Sequence, residues 1–165
     1  MKIIVTGHTL GLGKSIYDHF INLGHDVIGM SRSSGYDISI DDQFQKIVEE
    51  SKTAELFFNN AYAGTCQAKF LKSLFGFTTI ITSGSMAADI FDLNQYCRDK
   101  MEIERVHKRL IKTNPCPMLL LKLGFLENYT DKPLRVIKYK EVLNYIDFWL
   151  TNRKVSLIEF DNNLL

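Results

Sequence analysis

The stretch Ile3-Ile4-Val5-Thr6-Gly7-His8-Thr9-Leu10-Gly11-Leu12-Gly13-Lys14-Ser15 decides how this chain is read. Ile3, Ile4 and Val5 predict a short buried strand, and a helix follows over about 12–23, closed by Gly24. Between them, glycines at 7, 11 and 13 allow a tight turn, close approach of backbone to a pyrophosphate, and close packing of helix on strand. The free N–H groups of the helix start then face the phosphates. A Gly-rich turn that binds nothing is the plain alternative, and three glycines at this joint argue against it.

Gly13-Lys14-Ser15 also resembles the end of a triphosphate P-loop. That pattern needs a glycine five positions before Gly13, where this chain has His8, and Gly7 falls one residue early. A P-loop wraps phosphate with consecutive amides, so the spacing disfavours it.

Outward from this stretch, apolar runs alternate with helical patterns. Strands are expected at 27–30, 56–58, 77–82, 118–123 and 155–160. Helices are expected at 43–50, with Asp41-Asp42 as cap and dipole-favouring acids, at 67–74, over a long span at 88–111, and around Val142, Tyr145, Ile146, Trp149 and Leu150. Glu104 and Lys108 stand at the stabilising i,i+4 spacing, and Asn114-Pro115-Cys116-Pro117 breaks the long helix. Such alternation demands an α/β fold, a doubly wound parallel sheet with helices on both faces. Ligands of these sheets bind at the carboxyl ends of the strands.

The 165 residues predict one domain, 1–165. A formal charge of +1 removes the electrostatic case for nucleic acid, and no apolar run approaches a membrane span or a signal peptide. Cys66, Cys97 and Cys116 show no CxxC spacing, which suggests neither a disulfide framework nor a zinc site; no metal is expected. The expectation is a cytoplasmic protein without disulfides.

The spacing Thr6-Gly7-x-x-x-Gly11-x-Gly13 resembles the short-chain dehydrogenase/reductase family. The resemblance implies a Rossmann-type fold and a nicotinamide cofactor held by Gly7, Thr9, Gly11, Leu12 and Gly13 of the turn. A site that prefers NAD carries an acid about 20 residues past the glycines. Here Met30-Ser31-Arg32-Ser33 has no acid before Asp37. The planar fork of Arg32 can stack on adenine and pair with a 2′-phosphate, with hydroxyls from Ser31 and Ser33, so NADP(H) is favoured over a merely solvated loop arginine. By resemblance Asp37 matches an acid that touches the adenine amino group, although an ordinary turn residue explains it equally well. Asn59-Asn60-Ala61 resembles the family's Asn-Asn-Ala-Gly segment beside the adenine ribose, with Tyr62 in place of the glycine.

Tyr96 and Lys100 lie four apart on one helix face, and Ser83 stands thirteen residues before Tyr96 at a strand end. A ketone becoming an alcohol must gain a proton, and an unperturbed tyrosine holds its proton too tightly. An ammonium within about 4–6 Å favours the phenolate. The resemblance makes Ser83, Tyr96 and Lys100 the catalytic set. Lys100 also holds the nicotinamide ribose hydroxyls, and both helix residues count as cofactor contacts. Ser85 is a competing hydroxyl, and Cys97 is read as packing. Leu123-Gly124-Phe125-Leu126-Glu127-Asn128 resembles the family's carboxamide-holding segment, assigning Leu126 backbone and the Asn128 side chain.

The implied function is NADPH-dependent reduction of a carbonyl, or oxidation of the alcohol, on a small molecule. An NADP-binding redox sensor or regulatory protein without turnover is the alternative. The chain departs from the family by its shortness, a truncated member against about 250 residues. Only 23 positions separate Asn60 from Ser83, and no asparagine lies between Ala61 and Ser83 to serve as a fourth catalytic residue. About fifteen residues replace the usual substrate lid, so a large substrate or a partner subunit, as in a homo-oligomer, is expected to complete the pocket.

Overall fold

Strands too short to stand alone pair side by side in parallel. The structure is a computed structural model and describes residues 1–90, 94–113, 117–128 and 136–160. In chain order it runs β1 (Lys2–Thr6), α1 (Gly11–Asn22), β2 (Asp26–Met30), α2 (Asp41–Ser51), β3 (Leu56–Asn59), α3 (Cys66–Leu74), β4 (Thr79–Ser83), α4 (Gln95–Leu110), β5 (Met118–Leu123), α5 (Tyr139–Asn152) and β6 (Leu157–Phe160). The sheet has six strands in the order β2-β1-β3-β4-β5-β6, all parallel. This is the doubly wound Rossmann-type arrangement.

The period-2 alternation of strands decides what each face buries. Ile3, Val5, Leu56, Phe58, Ile81, Leu119 and Leu121 pack with Leu12, Ile16 and Phe20 of α1 and Val142, Ile146 and Trp149 of α5. Ile4, Phe57, Ile80 and Leu120 face the other way, against Phe44 and Ile47 of α2, Phe70 and Leu71 of α3, and Ile103 and Val106 of α4. Each fully buried aliphatic or aromatic side chain contributes about 1.5–3 kcal/mol. From β1 the chain goes outward to β2, then returns across β1 to β3. The carboxyl ends of β1 and β3 therefore frame a switch point, where a crevice opens.

Four expectations are corrected. The helix expected over 88–111 is two elements. Met86–Asp89 forms a 3-10 turn capped by Ser85 Oγ, which accepts from the Ala87 N–H at 3.1 Å, and Ile90 is extended. The α-helix begins after Asn94, whose Oδ1 accepts from the Cys97 N–H at 3.0 Å. Side-chain caps break the helix here without any glycine or proline. Asp41 and Asp42 sit inside the first turn of α2 and supply charge to it, while the cap position is Ile40. Phe77 and Val155 are exposed ahead of their strands, at 59% and 47%. Tyr145 is half exposed and meets Phe160 edge-on, ring centres 5.2 Å apart, instead of joining the buried face of α5. Of the expected helix break, Asn114, Pro115 and Cys116 lie outside the described residues. No helix among the described residues is long and apolar enough to cross a membrane.

Candidate active site

The crevice at the switch point begins with Thr6, the last residue of β1. Its Oγ1 donates to the Phe58 carbonyl at 3.0 Å and accepts from the Asn60 and Ala61 N–H groups at 3.0 and 3.1 Å. One buried hydroxyl thus fixes the Gly7 turn against the end of β3. Gly13 shows how close that approach is: a Cβ there would stand 2.1 Å from the Gly7 carbonyl oxygen. No side chain fits between helix and turn, and the start of α1, with Leu10 at the cap position, has neither a side-chain cap nor an acid in its first turn.

A cleft of about 560 Å³ extends from this turn, lined by Gly7, Thr9, Ser31, Arg32, Ser33, Asp37, Asn60, Ala61 and Tyr62 among others. The structure therefore brings eight of the expected cofactor residues to one cavity. Arg32 is exposed at its edge, in the 3-10 turn Arg32–Ser34. The serines around it bond to one another: Ser31 and Ser33 hydroxyls lie 2.9 Å apart, and the Ser31 N–H donates to Ser34 Oγ at 2.9 Å. Asp37 accepts from the Ser39 hydroxyl at 2.6 Å and the Ser39 N–H at 2.9 Å. Those two bonds, and the Arg32 charge, hold its carboxyl below the usual range.

Asn59 is placed elsewhere. It is fully buried, and its amide donates to the Gln67 carbonyl at 2.8 Å. Consecutive strand residues point to opposite sides, so Asn60 alone of the pair reaches the cleft. Asn60 also accepts from the Ser83 hydroxyl at 3.0 Å, tying the cleft to the end of β4.

The three expected catalytic residues converge beyond Tyr62. Lys100 is 4% exposed and donates to Gln67 Oε1 at 2.7 Å and to the Ser83 carbonyl at 3.0 Å. Its ammonium lies 5.4 Å from the Tyr96 ring centre and 5.5 Å from that of Tyr62, whose rings meet edge-on at 5.0 Å. Burial depresses the Lys100 pKa to about 8, against an opposing pull from the Asp99 carboxylate. An ammonium has three N–H groups, so two bonds leave one uncommitted among the described residues. Ser85 serves as a cap, as above, and Cys97 is buried packing.

Sequence reading missed four participants. Gln67 is fully buried and donates to the Asn59 and Ser83 carbonyls at 2.8 and 3.1 Å while accepting from Lys100. Tyr62 donates to buried Asp99 at 2.8 Å, and burial with this bond pushes its pKa up to about 12. The fourth is Tyr139, whose hydroxyl is buried without a hydrogen-bond partner among the described residues. The one signal available was Tyr62 itself, a bulky residue where the resembling family has glycine.

Leu126 forms an isolated parallel bridge with Ile137, in which the Ile137 N–H donates to the Phe125 carbonyl and the Glu127 N–H to the Ile137 carbonyl. That pattern turns Leu126's own N–H and C=O to the opposite side. Asn128 Nδ2 reaches within 3.8 Å of the point where a Cβ on Gly11 would sit. The missing Cβ at Gly11, the uncapped helix start and the donors around it fit a dinucleotide diphosphate.

No family model matches the sequence, and no curated protein does. Solved structures do match in fold. The aldohexose dehydrogenase of Thermoplasma acidophilum superposes with TM-score 0.79 at 16% identity, over 99% of this chain and 93% of that one. The 3-alpha-hydroxysteroid dehydrogenase of a Pseudomonas species, complexed with NADH, gives 0.78 at 15% identity, over 98% and 96%. A short-chain dehydrogenase from Burkholderia cenocepacia, in complex with NADP, gives 0.74 at 15% identity, over 97% and 87%. The chain has the fold of the short-chain dehydrogenases.

Proposed function

We propose that the chain is an NADP(H)-dependent oxidoreductase that reduces a small-molecule carbonyl, or oxidises the corresponding alcohol. The observation that carries this reading is the convergence of Ser83, Tyr96 and Lys100 at the carboxyl end of β4, joined through Asn60 to the cleft at the switch point. The cofactors bound in two of the neighbours, NADH in one and NADP in the other, support a nicotinamide dinucleotide. When bound, it supplies the hydride chemistry.

This chain's own residues do the rest. The uncapped start of α1 and the Gly11 turn receive the diphosphate. Arg32, with no acid between Met30 and Asp37, favours a 2′-phosphate. The Tyr96 hydroxyl holds the proton that the nascent alcohol needs, and the Lys100 ammonium beside its ring stabilises the phenolate left behind. Ser83 orients the substrate oxygen by exchanging its bond to Asn60 for one to substrate.

Titration of the chain with NADPH, NADH and ATP tests the reading, followed by a panel of ketones and aldehydes with NADPH. Binding of NADPH with turnover of a carbonyl is expected. Binding without turnover of any carbonyl moves the sensor reading ahead, and preference for ATP overturns both.

A further inference from the structure

Tyr62 belongs to two places at once. It lines the cleft at the switch point, and its ring centre lies 5.5 Å from the Lys100 ammonium. Lys100, Ser83 and Tyr96 stand outside that lining. The Tyr62 hydroxyl donates at 2.8 Å to buried Asp99, the residue before Lys100 on α4, so the ring is tied at its far end. Its flank meets the Tyr96 ring edge-on.

The groups around the ammonium come from four places. Gln67 Oε1 reaches it from α3 and the Ser83 carbonyl from β4, both as acceptors. The Tyr96 ring and the Asp99 carboxylate belong to α4, and the Tyr62 ring to the loop after β3. Asp99 favours the charged form, yet the pKa falls to about 8, so burial outweighs that carboxylate. What buries Lys100 therefore decides how it ionises. Lys100 itself is buried, whereas Tyr62 and Tyr96 are exposed. The two rings stand between the ammonium and solvent, with Tyr62 on the cleft side. A ring face returns to an ammonium only part of what water gives it.

We propose that Tyr62 is a positioning residue for the reaction above: its ring walls the cleft off from Lys100 and keeps water from the ammonium. The inference rests on the reading of Lys100 as the partner of Tyr96. It gives a task to the ring that stands where the resembling family has glycine.

The test follows the NMR resonance of Lys100 Cε against pH, with Lys100→Met supplying the assignment, and needs neither cofactor nor substrate. Tyr62→Phe keeps the ring and drops the bond to Asp99. Tyr62→Ala drops both, so the difference between the two variants reports the ring alone. The midpoint should lie at about 8 in the wild-type chain and move little in Tyr62→Phe. In Tyr62→Ala it should stand about one to two pH units higher than in Tyr62→Phe, as water reaches the ammonium. If Tyr62→Ala loses the wild-type circular dichroism, Tyr62→Leu takes its place, with a smaller rise in the same direction. A folded Ala or Leu variant that titrates with Tyr62→Phe, or a wild-type midpoint at the ordinary 10.5, overturns the inference. A midpoint that rises while the alkaline limb of carbonyl reduction stays in place overturns the role of Lys100 in the reaction, and the screening stands.

Discussion

Lys100 donates to Gln67 Oε1 at 2.7 Å, and neither side chain reaches solvent. The two lie 33 residues apart, on α4 and α3, and together they hold the Ser83 carbonyl. A buried ammonium is tolerated only where acceptors replace its water, so Gln67 fixes the position of Lys100, while burial itself lowers its pKa.

Gln67→Glu places a carboxylate against the ammonium and raises the Lys100 pKa. If carbonyl reduction needs protonated Lys100, the alkaline limb of its pH profile begins near 8 in the wild-type chain and moves up by more than one pH unit in this variant. Gln67→Leu removes the acceptor and shifts the limb down. A structural role alone would lower stability in both variants and leave the limb where it is.

Lys100 makes stability pH-dependent in a direction unusual for a lysine. Its folded pKa, about 8, lies below the ordinary 10.5, so between those values the unfolded chain binds the proton and the folded chain does not. Stability therefore rises with pH across that window, and the cost of burying the charge is fully present below pH 8. The difference corresponds to about 3 kcal/mol. Denaturant unfolding of wild type and Lys100→Met at pH 7 and pH 10 should show the wild type gaining on the variant by an amount of this order. A constant gap between them would contradict the burial argument.

The glycine turn was legible because its chemistry is local: Gly7, Gly11 and Gly13 are read from spacing alone, and the strand alternation that follows fixes a parallel sheet. Ser83, Tyr96 and Lys100 were put forward by resemblance, and the structure brings Lys100 to the Ser83 carbonyl and to the Tyr96 ring. Gln67 was not, because its importance lies in bonds to residues 8, 16 and 33 positions away that no spacing encodes. Asn59 and Asn60 look equivalent in sequence, and only the strand's pleat sends one inside and the other to the cleft. Asn94 hid a helix start because a side-chain cap needs neither glycine nor proline.

Lys122 on β5 is 5% exposed and meets Asp89, Glu104 at 3.3 Å and Glu159 at 3.3 Å. Burial opposes its charge, but the three carboxylates outweigh burial and raise its pKa. Lys122→Met leaves three acids facing one another, and Asp89 and Glu159 are half exposed, which softens the loss. A destabilisation of about 2–3 kcal/mol is expected, with part recovered in the Lys122→Met, Glu104→Gln double variant. Shifts of the denaturation midpoint measure both.

Arg32 should set cofactor choice. A charged contact to a 2′-phosphate contributes about 1.5–3 kcal/mol, a ten- to hundredfold preference for NADPH over NADH. Arg32→Ala should remove most of that ratio while leaving NADH affinity nearly unchanged, as read by fluorescence titration of each cofactor. Equal loss for both cofactors would assign Arg32 a structural role.

The two tyrosines that flank Lys100 separate chemistry from architecture. Tyr62 spends its hydroxyl on Asp99, a carboxylate 2% exposed, whose other bond comes from Gln95 at 2.8 Å. Tyr62→Phe therefore strips a donor from a buried charge and should cost about 1–3 kcal/mol of stability, with turnover changed little in the chain that remains folded. Tyr96 is 39% exposed, and its ring meets the Tyr62 ring edge-on and lies under the Lys100 ammonium. Tyr96→Phe keeps that ring, so stability and NADPH affinity should stay within about threefold of wild type in binding terms. Turnover of a carbonyl should nevertheless fall by about 10²–10⁴, the weight of a positioned proton donor. Because each substitution keeps a ring whose centre lies 5.4 or 5.5 Å from the same ammonium, a loss of activity common to both would point to disturbed packing around Lys100. A loss confined to Tyr96 would support the proposed proton donation from its hydroxyl.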